Sequence, residues 1–512
     1  MENNSQASKI GWAALIIVSL SSFIISLDNT FMNVAISNLV VDLNTTLTFI
    51  QIIIAVYALT MASLMLLGSK MQDVVGRRKA FIAGAVIFGI GTVIASLSIN
   101  ATMLLIGWSV LDGAGAALMT PATASIIIGT YSGENSAFAM GIRSSFATVG
   151  AGFGPIIGGF LTTFFSWRWG FGLELVIIII ILAFSKKLKY FPPSMKFSEL
   201  DKLGVFLSSL GILLFVLGIL SLNSTNNLKI APFIIGSGIL LLIIFYLREK
   251  KVIKRDKRPI TDIKLFKNRN FTLGTLSRMV LNLALAGAVF VLPVFFQQET
   301  GYSAFVTGLA ILPLTVGALI SSIASSRISK HVEPHYLISL GFFLALASTF
   351  FLSYQFNLNT QISDIIPVTL LLGIGLGVAL PLTSDIILSS VSLNKQPDAS
   401  GIMSTSSSLG SSMGTAIIGV VLILATFNGL YAAFDQTYPN QFSKQEINQK
   451  FTIYEEKTNT THEVLKGKGN STLYTIVNKT VRNAMKTVFE FISIIFLISF
   501  IISLFIKPLK RK

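Results

Sequence analysis

Three carboxylates stand inside long apolar runs of this 512-residue chain: Asp28, Asp112 and Glu174. An ionised carboxylate in hydrocarbon costs about 2.5 to 3.5 kcal/mol even on insertion scales, so an acid kept there marks a functional site. Its chemistry is narrow. Burial disfavours the charged form, so such a group can hold a proton, pair with a cation, or alternate between the two. Asp28 lies in LDNTFMNVAI (27–36), and Asn33 of the same stretch is grouped with the acids as a candidate contact for proton or substrate. Arg278 and Asp385 are two further charges in apolar runs. Opposite charges at similar depth are expected to pair, here as a structural or gating ion pair. Glu299 and Glu490 fall near run ends, where water reaches them.

The elements that must position these groups follow from composition. Charged residues make up 12% of the chain and mean hydropathy is +0.74, whereas soluble proteins carry roughly 25% charged residues. The apolar residues come in blocks of about twenty, the length of a helix across about 30 Å of hydrocarbon, and lack the ten-residue alternation of a membrane barrel. The chain is therefore an all-α polytopic membrane protein with about fourteen spans. The first run, from Gly11, is too long for a signal peptide and is expected to remain as the first span.

An even number of spans puts both termini on one side. Lys70, Arg77, Arg78, Lys79, the cluster 186–189, the run 248–269, Arg327 and the tail 507–512 would then share that side, which the positive-inside rule makes cytoplasmic. The net charge of +16 is spent on these loops and forms no nucleic-acid stripe. The chain has no Cys, and its three His lie in loops at 331, 335 and 462. No metal site, cofactor or enzymatic constellation is expected. The Ile, Lys and Asn bias is that of a low-GC bacterium, so the expected location is the cell membrane. The long segment 428–484, rich in Asn, Thr and Lys, is expected outside the cell.

A weak internal symmetry organises the rest. Basic loops follow the second span and the tenth (SSRISKHVEPH), and glycine-rich spans recur in matching places. Such repeats build alternating-access transporters, with the site at the repeat interface. The expected division is 1–185, a six-helix bundle; 186–270, a linker with two inserted helices; and 271–512, a second six-helix bundle. In GAGFGPIIGG (150–159), Gly150, Gly154 and Gly158 recur every four residues, a flat face for close helix packing. Pro155 frees a backbone carbonyl and permits a bend, and Gly159 extends the small-residue surface.

LDNTFMNVA, GSKMQDVVGRRK, and GPIIGG followed by WRW together resemble the major facilitator superfamily, in its fourteen-helix drug:proton antiporter branch. The likeness extends over essentially the whole chain. It implies a fold of two six-helix bundles plus an inserted pair, a role for the glycine-proline stretch as antiporter motif, and a conformational latch in the loop after span two. The family pattern G-x-L-a-D-r-x-G-r-r falls on Ser69 to Arg78, with Ser69 for its first glycine and Val74 for its first basic residue; Asp73, Gly76, Arg77 and Arg78 are retained. In span four, Ser109 and Asp112 stand where the family reads R-x-x-Q-G, so a membrane arginine is replaced and an acid added. Glu174 stands where an asparagine follows WRW.

At 1.5 Å per residue, Asp112 is expected near the midplane and Asp28 and Glu174 in the outer half, so the three would share an outward cavity. Asp28 and Asp112 are favoured over Glu174. The resemblance implies proton-coupled efflux of lipophilic, cationic drugs by a monomer embedded in the bilayer. The aromatics Phe31, Tyr57, Phe146, Phe290 and Phe295 are candidates for an adaptable apolar wall or cation contacts, the alternative for each being a lipid-facing or helix-packing role. The alternatives are a proton-coupled importer or a lipid flippase of the same fold, then a non-transporting sensor.

Overall fold

The computed structural model describes residues 2–131, 134–222, 229–255, 259–329, 331–392, 395–437 and 471–508. Among them are fourteen helices long and apolar enough to cross a membrane, and no strand. The first six are α1 (Trp12–Val34), α2 (Leu47–Val75), α3 (Arg77–Ser96), α4 (Ala101–Thr130), α5 (Phe138–Phe164) and α6 (Arg168–Lys187). The inserted pair is α7 (Lys202–Ser221) and α8 (Ala231–Lys254). The last six are α9 (Arg269–Glu299), α10 (Ala304–Ile328), α11 (Pro334–Leu352), α12 (Ile362–Ser389), α13 (Asp398–Thr437) and α14 (Tyr474–Leu504).

Polar side chains set several helix starts by accepting the free N–H groups of the first turn. Thr46 accepts from Phe49, Asn100 from Met103, Asp201 from Gly204, Asn268 from Phe271 and Ser303 from Val306. Elsewhere in the spans the apolar side chains leave the backbone no partner but itself, which enforces helix.

The internal symmetry is a repeat with an offset of eight helices. α1 packs on α5 as α9 packs on α13, α2 on α4 as α10 on α12, and α3 on α6 as α11 on α14. The bundles meet through α2 against α13 and α5 against α10. The inserted pair attaches through α7, which lies on α2 and α13, while α8 packs chiefly on α7 and leaves most of its surface to the bilayer.

Contacts join the bundles at both ends. At the face carrying the basic loops, Lys70 Nζ and Asp398 Oδ1 form an ion pair at 2.9 Å. In the first third of α2, Ser412 Oγ donates to the Ala55 carbonyl at 2.7 Å and Gln51 Nε2 to that of Thr415 at 3.0 Å. At the opposite face, Gln297 Nε2 donates to the Val34 carbonyl at 2.7 Å and Gln298 Nε2 to Ser37 Oγ at 2.9 Å.

The expected loop 428–484 is shorter than its sequence suggests. α13 continues to Thr437 and the final helix begins at Ser471, so helix replaces both edges of the loop; residues 438–470 lie outside the described residues. The added turns carry polar side chains, with Lys479 Nζ donating to Gln436 Oε1 at 3.2 Å. A hydropathy pattern stops at polar residues, but hydrogen bonding between helix residues does not.

Candidate functional site

Asp28 on α1, Asp112 on α4 and Glu174 on α6 converge in the first bundle, each with carboxylate oxygens within 4.8 Å of the others. All three have 0% exposure, so they form a closed cluster and not the outward cavity expected from their depth. The reason is the aromatic packing around them. Tyr57 of α2 stacks on Trp108 of α4 at 5.2 Å between ring centroids, Trp108 meets Phe171 edge-on, and Phe171 meets Phe31.

The backbone of α4 is shaped to deliver this arrangement. Leu105–Asp112 is wound as a π-helix, a wide turn often found at functional sites. Gly91 of α3 lies against it so closely that a Cβ there would strike the Asp112 carboxylate and come to 2.5 Å from the Gly107 carbonyl. The widened turn and the missing side chain together let Asp112 point into the bundle.

The cluster is poorly compensated. Trp108 Nε1 donates to Asp28 Oδ1 at 2.7 Å, and Thr92 Oγ1 to Asp112 Oδ1 at 3.3 Å. The second oxygen of Asp112 and both oxygens of Glu174 have no hydrogen-bond partner among the described residues. No Lys or Arg forms an ion pair with any of the three acids there. Three ionised carboxylates this close in an apolar interior would repel strongly. The arrangement can share protons or hold a hard cation through oxygen ligands. Asn33 does not complete it: its amide donates to the Asn29 carbonyl at 3.1 Å.

The glycine stretch has two working faces. Gly150, Gly154 and Gly158 lie on α1, where added Cβ atoms would strike the Phe23 carbonyl, the Thr30 hydroxyl and, at 2.7 Å, the Phe31 side chain. Gly159, with Gly152, faces α10; a Cβ at Gly159 would be 2.5 Å from the Ala304 carbonyl. The Pro155 carbonyl lies so close to Gly308 of α10 that a side chain there would collide with it. α5 thus touches the acid-bearing helix and the other bundle at backbone distance.

A profile of the Major Facilitator Superfamily matches residues 18–415. The chain belongs to the Major Facilitator Superfamily. It is similar to the multidrug efflux pump LfrA of Mycolicibacterium smegmatis, 28% identical over 411 residues covering 80% of each chain. The methylenomycin A resistance protein of Bacillus subtilis is 25% identical over 82% of this chain and 89% of its own. The riboflavin transporter RibZ of Clostridioides difficile is 26% identical over 83% of this chain and 92% of its own. Among solved structures, a bacterial homologue of the human lysosomal transporter Spinster, inward-facing and unoccupied, aligns with a TM-score of 0.61 at 14% identity over 97% of each chain. That likeness supports the fold. A facilitator is a carrier and not an enzyme, and relatives named for efflux and drug resistance make this chain a multi-pass membrane transporter.

In this facilitator the loop after α2 makes the turn its glycine implies. Gly76 adopts φ +93°, a conformation that L side chains rarely adopt, and a Cβ there would be 2.7 Å from the Phe191 carbonyl. Arg77 reaches across to the end of α4, donating from Nη1 to the Ser125 carbonyl at 2.7 Å, with its guanidinium 4.8 Å from the Phe191 ring centre. The Asp73 carbonyl accepts from Ser194 and Met195. Gly76, and no side chain, occupies the N-cap of α3. Arg78 is half-buried beside it.

The expected ion pair of Arg278 and Asp385 does not form. Arg278 donates instead to neutral groups: Ser407 Oγ at 3.1 Å, the Leu380 carbonyl at 2.5 Å and Ser384 Oγ at 2.9 Å. Asp385 is exposed on α12, next to the Ser384 that Arg278 contacts. Successive residues on a helix point about 100° apart, so similar depth did not bring the two charges onto one face.

Several contacts around the site have little signature in the sequence. Trp108 and Thr92, the donors to the acids, carried only a weak signal, a tryptophan and a threonine well inside apolar runs. Ser109, standing where the family has arginine, donates to the Ile53 carbonyl at 2.7 Å. Arg143 on α5 is a further membrane arginine; its Nε donates to Ser22 Oγ of α1 at 3.1 Å. The Lys70–Asp398 bridge joins residues 328 positions apart, and local patterning gives no hint of it.

Proposed function

We propose that this facilitator exports lipophilic, cationic compounds across the bacterial cytoplasmic membrane in exchange for protons, as a monomer with the basic face and both termini inside. The observation that carries the reading is the convergence of Asp28, Asp112 and Glu174, sealed and without a counter-cation among the described residues. A closed space among carboxylates suits a proton better than a bulky drug. The cluster is therefore assigned the proton, and the compound is assigned to the cleft between residues 1–185 and 271–512, with 186–270 carrying the inserted pair.

The exchange follows from electrostatics. A cation entering the cleft from the basic face favours the ionised cluster, and the proton leaves towards the cytoplasm. After the bundles rock about α5 and α10, reprotonation from outside removes that attraction and the compound departs. Each net charge moved inward gains about 2.3 kcal/mol per 100 mV of membrane potential. Energy comes from the proton gradient, with no cofactor.

The test is dye efflux driven by a pH gradient in proteoliposomes, paired with substrate-induced proton release from purified protein. Asp28→Asn and Asp112→Asn are expected to abolish both while the protein still inserts, and Glu174→Gln to weaken them. Full gradient-driven transport by the first two variants would overturn the assignment. A second reading, carriage of a solute that is not a drug, is favoured by the similarity to a protein named as a riboflavin transporter. It predicts riboflavin flux that lipophilic cations do not inhibit.

A further inference from the structure

A cavity of about 800 Å³ at the basic face plays no part in this exchange. It lies between α8, α2, α13 and the segment leading into α9. Lys250 and Lys254 line it from the last turns of α8, and Lys264 and Lys267 from the short helix Ile263–Lys267. Leu66 and Phe245 supply apolar wall, and Ile402 of α13 continues it.

The chemistry is one-sided. No carboxylate is among the described residues of the lining, and none of the four lysines has an ion pair there. The described acids nearby each have another partner, although the Lys264 charge also acts on Asp262. Asp262 is held by Lys395 at 2.6 Å, Asp201 by Arg248 at 2.6 Å, and Glu249 accepts the Thr261 backbone N–H at 3.2 Å. Solvated loop lysines that merely set orientation need no cavity. These four surround one that has apolar walls and opens beside a helix left largely to lipid, with only 11% of its apolar window buried.

We propose that this cavity binds an anionic phospholipid of the leaflet at the basic face, its phosphate among the four lysines and its acyl chains along α8. Basic pockets between spans recognise anionic headgroups through charge, and the apolar wall excludes a simple ion as the best occupant.

The test is native mass spectrometry and thermal unfolding of the full chain in neutral detergent, with phosphatidylglycerol, phosphatidylcholine or inorganic phosphate added separately. Phosphatidylglycerol is expected to bind about tenfold more tightly than phosphatidylcholine and to raise the melting temperature, with inorganic phosphate having little effect. Replacing Lys250, Lys254, Lys264 and Lys267 by Gln is expected to remove the preference. The milder pair Lys264→Gln and Lys267→Gln is expected to reduce it if the fourfold variant does not fold. Lys186→Gln with Lys187→Gln, basic loop residues outside the cavity, is expected to leave it intact. Equal binding of the two lipids, an unchanged preference in the folded cavity variants, or inorganic phosphate binding as well as phosphatidylglycerol would each overturn the proposal.

Discussion

Trp108 ties α4 to α1 through one hydrogen bond, its indole N–H meeting Asp28 Oδ1 at 2.7 Å, while the same ring stacks on Tyr57. The two roles can be separated. Trp108→Phe retains an aromatic ring and removes the donor, leaving a buried carboxyl oxygen unsatisfied at a cost of about 1 to 3 kcal/mol. The expected outcome is a lower melting temperature and an altered pH profile of gradient-driven efflux. An unchanged profile would show that the bond is structural only.

Lys70 and Asp398 predict a conformational effect. The lysine side chain is 12% exposed and the aspartate 35%, so the pair is worth about 1 kcal/mol at most. Asp398→Asn is expected to open the basic face a few-fold more often, and exchanging the two charges to restore closure. Because the sequence contains no Cys, single cysteines placed beside the bridge report this by labelling rate without a background to remove.

Gly150 and Gly141 make a matched pair on α5. An added Cβ at Gly150 collides with the Phe23 backbone, whereas one at Gly141 meets nothing within 4 Å. Gly150→Ala is expected to destabilise by about 1 to 3 kcal/mol through overpacking and to impair transport. Gly141→Ala is expected to be neutral or to stabilise by up to about 1 kcal/mol through helix propensity. Thermal melts of both variants decide it.

The contact of Asp262 with Lys395 predicts an acid-dependent term in stability. Burial pushes the Asp262 carboxyl up, but the Lys395 hydrogen bond and charge, with the Lys264 backbone N–H, outweigh it and hold the group below its usual 3.8. A lowered folded value contributes stability that is complete above about pH 4, the unfolded value, and is lost as pH falls through the folded value. Asp262→Asn should therefore melt earlier than wild type at pH 7, with the gap closing below pH 4. A gap that persists there would assign the effect to shape and not to charge.

Much of the fold could be read from the sequence because the membrane leaves few options. The length of each apolar block dictated a span, and matching basic loops exposed the repeat. Counting residues from a span end gives depth, which was enough to group Asp28, Asp112 and Glu174. Depth is one coordinate only. Which way a side chain points around its helix depends on neighbours that the local sequence does not name. That is why depth alone pairs Arg278 with Asp385 while the structure binds it to Ser384 and Ser407, and why nothing local points Trp108 at Asp28. The π-helical turn before Asp112 defeats the counting itself, since it shifts every later residue by a fraction of a turn.

The glycines of α5 carry a mechanical consequence. Between α1, which bears Asp28, and α10 of the other bundle stands the backbone of α5, with Gly150, Gly154 and Gly158 on one flank and Gly152 and Gly159 on the other. Long side chains act as springs: they change rotamer and absorb small shifts of their neighbours. At these positions α5 contributes no side chain of its own. A displacement of α1 that accompanies a change of charge at Asp28 would have little slack to take up before it pressed on α10, so residues without side chains make a stiff linkage here.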